Sequence, residues 1–126
     1  MIVFTYLNML DKKNRITKQK EFDQFFGKEF KQKKGQNVAG KFVILKCFDN
    51  ETEDTRFAFV VSNKVDKRAT HRNKIRRQLR SIIRDNASCL KKGKDCLIII
   101  KPSIKDKEFI DVEKEFTLLL KKVKLI

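Results

Sequence analysis

Apolar residues recur along this chain with two different periods, and the changes of period mark its elements. Phe22, Phe25 and Phe26 stand at i, i+3 and i+4, so Lys12 to Phe26 reads as a basic lead-in and a first helix, with Thr17 as N-cap. Lys28 to Gly40 is a polar, basic connection with room for a short edge strand. Lys41–Phe48 (KFVILKCF) and Thr55–Ser62 (TRFAFVVS) read as strands. In the second, Phe57, Phe59 and Val61 alternate with Arg56, Ala58, Val60 and Ser62, a smaller set that lets a ligand or helix approach closely. The acid-rich residues 49–54 predict a hairpin loop between the two strands. A central helix follows, from about Ala69 to Lys91, stopped by Gly93. Asp95–Lys101 (DCLIIIK) is a continuous apolar run closed by Pro102, the pattern of a strand buried on both faces. Phe109, Val112, Phe116, Leu119 and Leu120 form the buried stripe of a last helix from Lys107 to Lys122. Helix, strands, helix, strand and helix in this order predict an α+β or α/β sandwich with one sheet of about four strands.

Charge changes this picture at one place. Asn63 to Arg84 holds nine Lys and Arg against one acid, Asp66, a net +8 in a chain whose total is +15. At 100° per residue, Ile75, Leu79, Ile82, Ile83 and Leu90 share about a third of the helix circumference. Arg72, Asn73, Arg76, Arg77, Arg80 and Arg84 spread over a neighbouring sector. A surface stripe of this kind is commonly just solvated. Here Arg outnumbers Lys, and almost no acid stands four residues away to pair with it, so the helix repels itself until a polyanion arrives. The guanidinium fork matches phosphate bidentately and stacks on bases. The stripe predicts nucleic-acid binding.

Composition adds bounds. A chain of 126 residues makes one domain, here residues 11–126, behind an apolar extension at residues 1–10. That extension lacks a basic n-region and a small-residue cleavage site, and is too short to span a bilayer. Eleven Phe and no Trp supply the core bulk. Cys47, Cys89 and Cys96 show no CxxC spacing; Cys47 and Cys96 fall in apolar strands as small buried hydrophobes. One His leaves little scope for a Cys/His metal site or a Cys–His nucleophile pair. The expected setting is reduced and cytoplasmic.

Lys64, Arg68-Ala69, Arg72-Asn73-Lys74, Arg76-Arg77 and Arg80 together resemble the RNR signature of the bacterial ribonuclease P protein subunit. The pattern there reads approximately K-x-x-x-R-A-x-x-R-N-R-x-K-R-x-x-R. The departure is Lys74 in place of the third motif Arg, which keeps the charge and loses the bidentate fork. The resemblance covers roughly Leu10 to the C-terminus. Family members begin just before a basic run that is Lys12-Lys13-Asn14-Arg15-Ile16 here, so Met9 is a candidate native start. The resemblance implies a ribosomal protein S5 domain 2-like fold with an uncommon left-handed β-α-β crossover, against the general right-handed rule.

It also implies a function. The chain would be the protein subunit, one copy per catalytic RNA, of a ribonucleoprotein that removes the 5′ leader of precursor tRNA. The RNA and bound Mg2+ would carry the chemistry, and no protein residue would be catalytic or a metal ligand. The sequence offers no carboxylate pair at metal spacing and no Gly-rich phosphate loop. Lys64, Lys67, Arg68, Arg72, Asn73, Lys74, Arg76, Arg77 and Arg80 are the candidates for the catalytic RNA. Arg15, Lys18, Phe22, Phe26, Val43 and Leu45 are the candidates for the single-stranded leader, the aromatic rings as stacking platforms. The alternative is a basic ribosomal or ribosome-assembly protein that binds rRNA. A protein-only nuclease and a membrane-surface module fit less well, the latter because the apolar stripe is needed for the core.

Overall fold

The computed structural model describes residues 19–126. Two short helices, α1 (Gln19–Asp23) and α2 (Lys28–Gln32), precede strands β1 (Gln36–Ala39), β2 (Val43–Asp49) and β3 (Arg56–Val60). Then come α3 (Ala69–Asp85), β4 (Lys94–Ile100) and α4 (Phe109–Lys122). Thr17 and the lead-in from Lys12 lie outside the described residues.

The four strands form one mixed sheet in the order β1-β2-β4-β3. β2 runs antiparallel to both β1 and β4, and β3 runs parallel to β4. This corrects the hairpin expected at residues 49–54: β2 and β3 are not partners, because β4 lies between them. The reason is visible in β4 itself. Its Cys96, Leu97 and Ile98 are fully buried, and only a central strand covers both faces of such a run. The connection between β2 and β3 crosses the start of β4. Asn50 Nδ2 ties it down by donating to Asp95 Oδ1 and to the Asp54 carbonyl, both at 2.8 Å. Gly93 passes beneath at φ +79°, and a Cβ there would stand 2.8 Å from the Thr52 carbonyl oxygen.

Side-chain alternation divides the sheet into two unlike faces. One carries Val43, Leu45, Cys47, Phe57, Phe59, Cys96 and Ile98 into the main core. Leu79, Ile82 and Ile83 of α3 and Phe116 and Leu120 of α4 complete it. Each fully buried Leu, Ile or Phe contributes roughly 1.5–3 kcal/mol. The other face holds a smaller cluster of Phe25, Phe48, Ala58 and Leu97, edged by Phe22, Phe30 and Ile99. Ala58 belongs to the small-residue set of β3, and the Phe25 and Phe48 rings meet in the same cluster at 4.8 Å between centroids.

The helices differ from the sequence reading at several points, α1 ending at Asp23 and not at Phe26. α3 ends at Asp85, not near Lys91, because the Asn86 side chain takes the Ile82 carbonyl at 2.8 Å and the chain tightens into a 3-10 turn at Ala87–Cys89. Leu90 still packs on the core from beyond that turn. α2 forms inside the stretch read as a connection. Phe109 heads α4 but is partly exposed, so the buried stripe there begins at Val112. α4 is fixed to the β1–β2 turn by Glu115, whose carboxylate accepts the backbone N–H of Lys41 and of Phe42, the latter at 2.8 Å. It touches β1 and α3, which leaves α3 on the β3 side of the helix layer.

Candidate nucleic-acid interface

The basic stretch becomes a surface because Asp66 organises its start. Asp66 is buried, and its carboxylate accepts the Arg68 backbone N–H at 3.0 Å and the Arg68 Nε and Nη2 at 3.1 Å. His71 Nδ1 lies 3.2 Å from Asp66 Oδ2, the oxygen that also accepts from Arg68 Nη2. These Arg68 hydrogen bonds hold the Asp66 carboxyl well below the usual carboxylate range. A negative group at the start of α3 also suits the helix dipole. Arg72 Nη1 completes the clasp by donating to the carbonyls of Asp66 and Lys67, both at 2.9 Å.

Lys64, Lys67, Asn73, Lys74 and Arg77 are exposed beyond this clasp. Arg68 is exposed as well, although its guanidinium faces Asp66. Arg76 is half-buried; its Nη1 donates to Asn73 Oδ1 at 2.7 Å, while its Nε is buried and has no hydrogen-bond partner among the described residues. Burial first, and then neighbouring Arg72, push the Arg76 pKa down.

Arg80 requires a correction. It is only 4% exposed, so it is not part of the accessible stripe where a phosphate could reach it directly. Burial, followed by the charges of Arg76 and Arg77, pushes its pKa down to about 10. The residue lies at the margin of the buried sector, where a long aliphatic stem covers core surface. Its positive charge is held beneath the exposed stripe.

The second candidate surface lies on the opposite face of the sheet. Arg15 and Lys18 are outside the described residues. Phe22 is half-buried against the small cluster, and Phe26 is 66% exposed. Val43 and Leu45 do not line this surface. Both are fully buried on the helix side. A one-residue shift in a strand exchanges its faces, and the β2 residues that look outward are Ile44 and Lys46. Lys46 Nζ lies 4.8 Å from the centroid of Phe26 and 5.2 Å from that of Phe30, within cation–π range. Val60 of β3 and Ile99 of β4 are in register with each other on the same face, and Val60 is exposed. Composition carried a signal for Lys46, a lone cation inside an apolar strand, but parity decides its direction only once the register is known.

Among the described residues, no three His, Cys, Asp or Glu side chains come together in a group that could hold a metal ion. No helix among them is long and apolar enough to cross a membrane.

A family model described as Ribonuclease P matches residues 10–124. The ribonuclease P protein component of Syntrophomonas wolfei is 32% identical over 117 residues, covering 93% of this chain and 92% of the relative. That of a Pseudanabaena species is 31% identical over 119 residues, covering 94% and 97%. Among solved structures, the Staphylococcus aureus RNase P protein superposes with a TM-score of 0.76 at 27% identity, covering 89% of this chain and 96% of that one. The Thermotoga maritima RNase P protein gives 0.72 at 26%, covering 86% and 96%.

Proposed function

Since the chain belongs to the ribonuclease P protein family, we propose that it binds the catalytic RNA of ribonuclease P and the 5′ leader of precursor tRNA, so that the ribonucleoprotein removes that leader. The observation that carries this reading is the exposed cationic stripe from Lys64 to Arg77, held in shape by a single buried acid. Each phosphate neutralised there releases condensed counterions, so binding is electrostatic and falls steeply with salt. Lys64, Lys67, Lys74 and Arg77 take phosphates, while Asn73, with Oδ1 turned to Arg76, offers its amide N–H groups to a base or ribose edge. Arg72 and Arg68 act with part of their donors already committed to Asp66 and its loop.

The leader lies on the open sheet face. Phe26 provides a stacking platform, with Lys46 beside its ring to meet the backbone. Phe22 supports that platform from the small cluster. Val60 and Ile99 give the strand an apolar floor.

Chemistry is assigned to the RNA. Mg2+ is held mainly by the RNA, supplying a nucleophile and stabilising charge at the scissile phosphate. The role of this chain is to bind and orient, one copy per RNA.

The test is precursor-tRNA cleavage at low magnesium by a bacterial ribonuclease P RNA, with and without the protein. The expected result is correct 5′ cleavage restored by the protein and no cleavage by the protein alone. Tight binding to ribosomal RNA with no stimulation of cleavage would assign the basic helix to the ribosome instead.

A further inference from the structure

Between α3 and the turn at residues 104–107 that leads into α4, a cavity of about 190 Å3 opens. Ile75, Ile104 and Val112 give it apolar walls, and Gln78 and His71 reach it from α3. Lys74, Lys105 and Lys107 supply cations around it. Asp106 sits between the last two in the left-handed conformation, φ 63°, which an Asp tolerates in a tight turn. The two acids lining the cavity do not cancel the lysines: the Asp66 carboxylate is engaged by Arg68, and Asp106 alone stands against Lys74, Lys105 and Lys107.

We propose that this cavity receives one unpaired base of the RNA that lies along α3, with the adjoining phosphates on Lys74, Lys105 and Lys107. The proposal rests on the RNA-binding reading above and adds a base-reading site to it. Size limits the occupant: the volume is below the roughly 300–1,000 Å3 of ordinary small-molecule sites, which suits a single base. Chemistry limits it further. Apolar walls accept a base face, while the Gln78 amide both donates and accepts, the pairing that matches an adenine edge. Unpaired nucleotides splayed from a helix are the elements that proteins read in RNA. Lys74 joins the two sites, being exposed on the stripe and part of the cavity lining.

Because Gln78 is uncharged, the proposal separates cleanly from phosphate binding. RNA affinity is measured against salt concentration for the intact protein, Gln78→Ala and Arg77→Ala, using ribonuclease P RNA. Gln78→Ala is expected to weaken binding about 5- to 30-fold with the salt slope unchanged, whereas Arg77→Ala lowers the slope by about one unit. Equal binding by Gln78→Ala and the intact protein, with Arg77→Ala still impaired, overturns the base site and leaves the RNA-binding reading standing. If Arg77→Ala is also unimpaired, that reading fails first. A second measurement needs no variant: amide chemical shifts on adding adenosine monophosphate or inorganic phosphate. Shifts at Ile75, Gln78 and Ile104 with the nucleotide alone support a base in the cavity; the same shifts with phosphate alone reduce it to an anion site and overturn the proposal.

Discussion

The two faces of the sheet are made from the same strands and do opposite work. In β2, Val43, Leu45 and Cys47 disappear into the core under α3 and α4, while Ile44 and Lys46 between them stay partly open. The helix-side face is closed by two long helices. Among the described residues, the opposite face is covered at one end, by Phe25 and its neighbours from α1 and α2. The comparison teaches that burial was divided by position and not by residue type. Val60 and Ile99 are as apolar as anything in the core, yet Val60 is exposed and Ile99 only partly buried.

The sharpest way to break the comparison is to cut each face in turn. Leu45→Ala should cost roughly 2–5 kcal/mol in denaturant unfolding, through lost transfer energy and a residual cavity. Ile44→Ala, one residue away, should cost well under half of that. Equal costs would mean that the faces are not distinct. Phe26→Ala should weaken binding of a single-stranded RNA leader by roughly 1–3 kcal/mol, measured by fluorescence anisotropy, with the melting temperature nearly unchanged. A large fall in melting temperature would make Phe26 a core residue. Within the basic stripe, Arg77→Ala should weaken RNA binding by about 1 kcal/mol and lower the salt slope by about one unit. Arg80→Ala should instead act mainly on stability, since its side chain is covered. The smallest effect is a matter of pH. The Asp66 pKa is lowered in the folded state, so its contribution to stability is complete above the unfolded value, about 3.9. It is lost as pH falls below that value toward the folded one. Asp66→Asn should lower stability at neutral pH and flatten the acid limb of a stability-against-pH curve, so that the variant and the intact protein converge as pH falls.

Much of this organisation was legible in the residues. The 3.6-residue spacing of Leu79, Ile82 and Ile83, the alternation of Phe57 and Phe59, and the unbroken apolar run of β4 each specify a local element and its buried side. Local pattern does not specify partners. The run FVILKCF is apolar at nearly every position, so it carries no parity of its own, and Val43 and Leu45 were placed on the wrong face for that reason. The acid-rich loop suggested a hairpin because nothing near it announces that a strand 40 residues later will come between. Arg80 reads like its neighbours in the motif and differs only in what packs above it. α2 is too short for periodicity to register.

The position of β4 has a consequence for how the chain is made. Translation proceeds from the N-terminus at about 5–20 residues per second. β2 and β3 therefore leave the ribosome seconds before the strand that joins them, each with open hydrogen-bonding edges. Pairing with β4 spans more than 40 residues from β2, and such non-local contacts form slowly. During that interval the nascent sheet halves are exposed to mispairing, while the basic segment preceding β4 has already emerged. A polyanion present at that moment would meet α3 before the sheet has closed, so assembly with RNA and completion of the fold become competing events in time.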